Sequence, residues 1–165
     1  KNSTDLTTEQ FALIADWYNW ALAEMPRLKD FKTDLNYIAK KLNHQVPKES
    51  IEESIDILVR NKILTRTSNG ELKRTSDGPD FLDPEITKLA AREYHKQMAQ
   101  KAVGALESKK SEDLDFQGST FCIKKSDISK LKEIIRDFHQ KILELGVEDD
   151  GDEIYQIHTQ LFPLD

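Results

Sequence analysis

The strongest constraint on the fold is a run of three local patterns in the first half of the chain. Apolar residues recur at helical spacing over residues 34–42 and again over residues 48–61, and only a short turn separates the two stretches. The pair Asn69-Gly70 follows, between the short runs 63–67 and 72–75. Asn-Gly is the strongest local hairpin signal, because both residues tolerate the positive φ of a tight turn. Helix, turn, helix and hairpin in this order predict a winged helix-turn-helix.

A longer helix is predicted ahead of this module, over residues 8–25. Thr7 or Thr8 is available as its N-cap, and Pro26 is expected to stop it. Its apolar stripe is wide enough to pack against most of the later helices of the module. The stripe consists of Phe11, Ile14, Ala15, Tyr18, Ala21 and Leu22.

A connector rich in turn-forming residues occupies 76–84 and places a domain boundary near residue 80. We therefore predict two domains. Residues 1–80 hold the first helix and the winged helix-turn-helix, and residues 81–165 form a helical and β-α-β regulatory or oligomerisation domain. The second domain is expected to begin with a long helix over residues 85–106, where apolar side chains again recur at helical spacing.

The last third of the chain is predicted to form a β-α-β unit. Short β-forming runs at residues 119–124 and 153–164 flank an amphipathic helix over residues 127–145, which Ser126 caps and Gly146 ends. A strand, a crossover helix and a second strand give two parallel strands. Two strands are too few for a stable sheet, so a third must come from elsewhere in the chain or from a second copy. The predicted fold class is thus α+β and mainly helical, a winged helix-turn-helix followed by a long helix and a β-α-β unit.

The distribution of charge indicates where the chain would contact a nucleic acid. The net charge of -6 argues against a general polyanion binder, because phosphate contacts need a basic surface. Residues 60–74 are the exception, with five basic residues and one acidic residue. We therefore predict that any contact with DNA is made by the hairpin and the second helix of the module. The predicted DNA-binding residues are Lys48, Arg60, Lys62, Arg66, Lys73 and Arg74.

The second helix also carries an argument against DNA binding. Its polar side is acidic, and carboxylates at a phosphate surface are repelled. Such charge is expected on a winged helix that contacts protein or serves as a structural spacer. Both hypotheses are therefore kept. The acidic residues are Glu49, Glu52, Glu53 and Asp56.

The sequence contains no recognisable motif for catalysis, metal binding or a cofactor. The four histidines form no metal-binding pair, and the acidic run 148–153 lacks the ligand pattern of a calcium loop, so we interpret this run as a solvated loop. Cys122 has no histidine beside it and is expected to be a small, packed strand residue. The chain is therefore predicted not to be an enzyme and to need no metal or cofactor.

The compartment is inferred from the features that a membrane or exported protein requires. No apolar run is long enough to cross a membrane, and no signal peptide is recognisable. A single cysteine cannot form an internal disulfide. We therefore expect a cytoplasmic protein with no membrane partner. Because the sequence begins at Lys1 and not at a methionine, a preceding segment that holds part of the function is left open.

The end of the chain is unusually apolar and is the predicted partner surface. In residues 153–164, apolar side chains alternate with polar uncharged ones, as in a strand with one buried face. An apolar chain end is expected to dock onto a core or a second subunit. The residues predicted to contact a protein partner or form a homodimer are Tyr155, Ile157, Leu161, Phe162 and Leu164.

Three stretches of the chain resemble an uncharacterised bacterial family of predicted transcriptional regulators. They are Trp17-Tyr18, residues 91–98 (AREYHKQM) and residues 154–164 (IYQIHTQLFPL), which end in a YQxxxQLFPL-type signature. The resemblance covers nearly the whole chain. In that family this region is a domain of unknown function, commonly preceded by a separate DNA-binding segment. The resemblance implies a regulator and supplies no catalytic or ligand residue.

Two functional hypotheses result. The first is a transcriptional-regulator module with a winged helix, which contacts DNA through the basic hairpin or regulates an adjacent DNA-binding segment. The alternative is a protein-protein interaction or signalling adaptor in which the winged helix is a scaffold. The salt dependence of DNA binding separates them. If the hairpin contacts DNA, removal of the hairpin cations lowers the slope of log K against log salt, and if it does not, the slope stays the same.

Overall fold

The structure is a computed structural model and describes residues 3–75, 84–146 and 149–164. These residues are mainly helical with one small antiparallel sheet, which confirms the α+β class. The chain divides into two compact units, residues 1–101 with 149–155 and residues 102–148 with 156–165. The helices are α1 (Ser3–Ala15), α2 (Trp17–Glu24), α3 (Leu35–Lys41), α4 (Lys48–Arg60), α5 (Pro84–Ser108) and α6 (Ile128–Leu145), and the strands are β1 (Leu64–Arg66) and β2 (Leu72–Arg74).

The first unit has a dense apolar core. Helices α1 to α4 and the hairpin each place large side chains in it, and fully burying a side chain of this size stabilises a fold by roughly 1.5–3 kcal/mol. Helix α4 is the central element, because its apolar stripe faces α1, α2, α3 and β1. The most deeply buried side chains are Leu13, Ile38, Ile51, Leu58, Ile63 and Leu64.

The predicted single helix over residues 8–25 is wrong in one respect, since it is two helices with a break at Asp16. Asp16 has an extended backbone (φ -80°, ψ 112°). The buried side chain of Asn19 stabilises the break, because its Nδ2 donates to the carbonyl oxygens of Ala12 at 2.8 Å and of Leu13 at 3.4 Å, at the end of α1. Apolar periodicity does not reveal a buried polar side chain that bonds to the end of a helix.

The ends of this region also differ from the prediction. Helix α1 already begins at Ser3, so Thr7 and Thr8 lie inside it and neither is its N-cap. Pro26 follows the end of α2 and lies in a 3₁₀ turn, Met25–Arg27. The α-helix therefore does end before the proline, as predicted.

The two helices predicted over residues 34–42 and 48–61 are confirmed as α3 and α4, with ends shifted by one residue. Asp34 caps α3, and its Oδ1 accepts a hydrogen bond from the backbone N–H of Tyr37 at 2.8 Å. Asn43 and His44 have positive φ, at 52° and 55°, and turn the chain toward α4. This is the left-handed conformation in which asparagine often ends a helix.

The predicted hairpin is confirmed. Strands β1 and β2 are antiparallel, with Leu64 opposite Arg74 and Arg66 opposite Leu72. Gly70 has φ 80° and Asn69 does not have a positive φ, so the turn needs the glycine alone. Thr67 closes the loop, because its N–H donates to the carbonyl oxygen of Glu71 at 2.8 Å. The order of elements is as predicted, and assignment to the winged-helix class stays a prediction.

Helix α5 matches the long helix predicted over residues 85–106 and extends to Ser108. Pro84 is its first residue, a position where the missing N–H is not needed. The predicted connector lies almost entirely in residues 76–83, which are outside the described residues. The predicted boundary near residue 80 therefore stays a prediction.

The predicted β-α-β unit is wrong. Its helix exists as α6, with Gly146 at its C-terminal end, but the N-cap is Asp127 and not Ser126. Residues 119–124 and 153–164 form no strand, and exposed Cys122 is not a packed strand residue. Alternating side chains show only that a segment is compatible with a sheet, whereas a strand also needs a partner for its backbone hydrogen bonds. In the described residues, neither segment belongs to a sheet.

Candidate functional site

The residues predicted to contact DNA lie on α4, on the hairpin and in the turn between them. Lys48 and Arg60 are the first and last residues of α4, Lys62 is in the turn, Arg66 ends β1, and Lys73 and Arg74 end β2.

The side chain of Arg74 is bonded within the fold. Its side chain is 19% exposed, and its Nε lies 3.1 Å from Oε1 of Glu24 at the end of α2. Its Nη1 donates to the carbonyl oxygen of Ile63 at 3.0 Å and to that of Thr75 at 3.3 Å. A guanidinium that satisfies a carboxylate and two carbonyls anchors the hairpin to α2, and it cannot reach a phosphate without breaking these bonds.

Arg60 and Arg66 are also paired with carboxylates. The Nε of Arg60 lies 3.1 Å from Oε1 of Glu9 on α1, and Glu9 is only 17% exposed. The Nη2 of Arg66 lies 3.8 Å from Oδ1 of Asp56 on α4, and both side chains are about half exposed. The first pair joins two helices, whereas the second is a weak surface pair.

The three lysines are more accessible. Lys48 donates from Nζ to Oδ1 of Asn36 at 2.6 Å, across the turn between α3 and α4. Lys62 is exposed and has φ 57°, which reverses the chain before β1. Lys73 is exposed on β2 and forms no ion pair within the part of the chain that the structure describes. Lys73 is therefore the predicted contact that remains best placed for a phosphate.

The surface of α4 beside these cations is acidic. All four carboxylates predicted on its polar side, at Glu49, Glu52, Glu53 and Asp56, are exposed. The helix that would enter a major groove thus presents negative charge to solvent. An anionic surface of this kind repels a phosphate backbone and attracts basic groups of a protein.

A polar contact that the sequence did not indicate holds α5 against α2. Lys101 Nζ lies 3.2 Å from the centroid of the Trp17 ring and donates to Oε1 of Gln45 at 2.7 Å. Gln97, one turn earlier on α5, accepts a hydrogen bond from the backbone N–H of Trp17 at 3.1 Å. Burial lowers the pKa of Lys101. The contact joins residues about 80 positions apart, so no local pattern could have predicted it.

The break between α1 and α2 creates a partly buried acidic position. Burial raises the pKa of Asp16, and the carboxylates of Glu53 and Glu93 add to this effect, while a hydrogen bond from Tyr18 at 3.3 Å opposes it. Burial and the nearby Asp16 likewise raise the pKa of the Tyr18 hydroxyl. Asp16 and Tyr18 therefore bind their protons more tightly than free side chains do, and the free energy of unfolding is expected to depend on pH.

The described part of the acidic run, residues 149–153, keeps its charged side chains exposed, as expected of a solvated loop, but its backbone is docked. The N–H of Gly151 donates to the carbonyl oxygen of Arg27, and the N–H of Lys29 donates to that of Gly151, both at 3.0 Å. Lys29 also pairs with Asp152, and Arg27 Nε lies 3.9 Å from Asp149. We call residues 149–152 the acidic clasp. Its charged side chains remain exposed, so composition alone suggested only solvation.

The residues predicted as a partner surface are exposed, although they form no strand. The exposed fractions are 71% for Tyr155, 38% for Ile157, 41% for Leu161, 62% for Phe162 and 77% for Leu164. Thr159 is bound to α6, where its hydroxyl lies 2.9 Å from Nε2 of His139. The last residues therefore follow α6 while their apolar side chains remain accessible.

Among the residues that the structure describes, no three His, Cys, Asp or Glu side chains are grouped so that they could hold a metal ion. The described helices include none that is long and apolar enough to cross a membrane.

The comparisons with known proteins give one positive result. No curated protein and no solved structure matches the chain. One family model matches residues 1–164, almost the full 165 residues. That model is described as a domain of unknown function, DUF4423, and the chain therefore belongs to the DUF4423 family.

Proposed function

We propose that this chain is a non-catalytic regulatory module that works by binding protein, and that its helix-hairpin unit is a scaffold. The observation that carries the proposal is the pairing of two predicted DNA contacts, Arg60 with Glu9 and Arg74 with Glu24. Cations that are already neutralised contribute little to counterion release, which provides most of the affinity of proteins for DNA.

The cost of freeing these arginines supports the proposal. If Arg74 turned toward a phosphate, it would lose its bonds to Glu24 and to the carbonyl oxygens of Ile63 and Thr75. Hydrogen bonds that involve a charged group contribute about 1.5–3 kcal/mol each. A single phosphate contact at the surface does not offset the loss of all three.

The regulatory part of the proposal rests on the resemblance of residues 17–18, 91–98 and 154–164 to predicted transcriptional regulators. In a regulator of that kind, a separate segment reads DNA and this module controls it. Exposed carboxylates on α4 fit such a role, because they offer a surface for basic protein groups.

Direct DNA contact by the hairpin is the second candidate. The exposed Lys73 on β2 favours it, as does the weak pair between Arg66 and Asp56 at 3.8 Å, which a phosphate could replace. Two accessible cations on one hairpin would track a phosphate backbone without entering the major groove.

A salt titration of DNA binding separates the two candidates. The probe is a random-sequence duplex, and the proteins are the wild type, the double variant Arg66→Ala with Lys73→Ala, and a control with Lys88→Ala and Lys96→Ala on α5. Each double variant removes two cations per molecule. Under the proposal, binding is weak and the two variants have the same salt slope.

Hairpin contact predicts a different result. Each lost phosphate contact lowers the magnitude of the slope of log K against log salt by about 0.9. The slope of the hairpin variant would therefore be smaller than that of the wild type by nearly 2, and the slope of the α5 control would be unchanged. That outcome contradicts the scaffold proposal and establishes the second candidate.

A further inference from the structure

The second unit, residues 102–146 and 156–164 of the described chain, has no buried side chain. Thirteen of its large hydrophobic side chains are more than one third exposed. Examples are Phe121 at 53%, Ile134 at 56% and Phe138 at 48%. Monomeric proteins rarely expose a contiguous apolar patch of more than a few hundred Å². This unit therefore lacks the burial that would stabilise it alone.

Helix α6 concentrates this surface on one face. Ile128, Leu131, Ile135 and Ile142 are partly buried, while Ile134 and Phe138 on the same face are about half exposed. The C-terminal segment covers only one side of the stripe, where Ile135, Thr159 and Leu161 line a shallow cleft of about 240 Å³. The stripe needs a second apolar surface to be covered.

The segment before α6 also lacks a partner. Residues 115–123 form no backbone-to-backbone hydrogen bond with any described residue, and Leu114 and Lys124 at its ends have extended backbone. A chain with unpaired N–H and C=O groups and apolar side chains such as Phe121 is suited to pair with another strand.

We propose that the second unit is an interface between two copies of this chain, formed by the apolar stripe of α6 and the flanking segments. The exposed apolar side chains, at roughly 150 Å² each when fully free, leave on the order of 1,000 Å² uncovered. A standard stable interface takes about 800 Å² from each partner, so the area is sufficient.

A second copy fits this surface, because a two-fold interface uses the same patch on both partners and the uncovered area matches what one subunit of a stable dimer buries.

The inference goes beyond the proposed function and does not depend on it, because a dimer is compatible with either result of the DNA titration. The test measures the mass of the full chain by light scattering over a range of concentrations. The expected mass at high concentration is twice 19.0 kDa. The variant Phe138→Glu, which places a charge in the stripe, should weaken dimerisation by at least about 30-fold.

Ser129→Glu is the matched control, since it adds the same charge on the opposite, exposed side of α6 and should leave dimerisation unchanged. Trp17 and Trp20 are both in the first unit, so their fluorescence reports whether each variant keeps that unit folded. A spin label on exposed Cys122, the single cysteine, gives a second readout, because dipolar coupling between labels requires two copies.

Three outcomes decide the proposal. A dimer that Phe138→Glu disrupts and Ser129→Glu preserves supports it. A mass of 19.0 kDa at every concentration overturns it, even if another protein binds the same surface. A dimer that Phe138→Glu does not weaken overturns it too, because the copies would then meet elsewhere.

Discussion

Arg74 illustrates how a basic residue in a hairpin can serve the fold and not a ligand. Its position on β2, beside Lys73, made it a predicted DNA contact, and the sequence gives no local sign that Glu24 lies opposite. The pair joins the hairpin to α2 across 50 residues of chain. The neighbouring lysine remains exposed, so two adjacent cations have different roles.

We predict that Arg74→Ala destabilises the first unit by about 2 kcal/mol, because it removes a charge-assisted pair and leaves the carbonyl of Ile63 without this donor. Lys73→Ala, on the same strand, should change stability by less than about 0.5 kcal/mol. Urea unfolding followed by tryptophan fluorescence measures both. Equal effects of the two variants would contradict the structural role of Arg74.

Asp16 leads to a prediction about pH. Burial raises its pKa, so the folded state binds this proton more tightly than the unfolded state does. Its contribution to stability is therefore present below the unfolded pKa of 3.8 and lost as pH rises through the raised folded pKa. Asp16→Asn cannot lose a proton, so its stability relative to the wild type should increase with pH across that window.

The size of this effect should stay below about 1 kcal/mol, because Asp16 is only partly buried and water screens it. Urea unfolding at a series of acidic to neutral pH values measures the difference. Glu52→Gln, which removes an exposed carboxylate from α4, is the matched control for the loss of one negative charge. A stability difference between Asp16→Asn and the wild type that does not change with pH would show that the position is not desolvated.

At the scale of elements, local signals predicted the features that local interactions determine. The cap at Asp34, the positive φ at Gly70 and the stripe of α6 are encoded within a few residues, and α3, the hairpin and α6 were predicted correctly. The break at Asp16 depends on a buried amide and on a distant glutamine of α5. The prediction of strands at residues 119–124 and 153–164 was wrong for a related reason. Strand pairing depends on a partner that sequence periodicity does not identify.

Only part of the candidate site could be predicted from the sequence. The elements that carry these residues, α4 and the hairpin, were predicted correctly, because helical and hairpin patterns are local, while the binding of DNA by these residues stays a prediction. Their ion pairs with Glu9 and Glu24 were not, since each joins elements that are about 50 residues apart. Charge counting along a segment therefore overestimates how much positive charge is available to a ligand.

The acidic clasp gives an element-scale prediction. Gly151→Pro removes the N–H that donates to the carbonyl of Arg27, and should release the clasp at a cost of about 1 kcal/mol. The amide of Lys29, which donates to Gly151, should then exchange its hydrogen faster. Gly151→Ala is the control, because a Cβ there meets its nearest atom at 3.9 Å and the N–H is kept. Faster exchange in the alanine variant would mean that the backbone bonds do not hold the clasp.

At the scale of the whole molecule, the two units differ in how they are stabilised. The first has sixteen buried side chains in one continuous apolar cluster, whereas the described residues of the second bury none. Hydrophobic burial is the main favourable term in folding, and most of the stability of an amphipathic helix in a protein comes from packing of its apolar face. The order of the second unit should therefore depend on association, and the order of the first should not.

Hydrogen exchange measured at several protein concentrations tests this difference. The amides of α4 should be protected equally at all concentrations, because α4 is buried within its own unit. The amides of α6 should exchange rapidly when the protein is dilute and become protected as copies associate. In Phe138→Glu they should stay unprotected at high concentration, while α4 is unaffected. If α6 in dilute wild-type protein were as protected as α4, contacts within one chain would be enough to hold it, and association would not be the source of its stability.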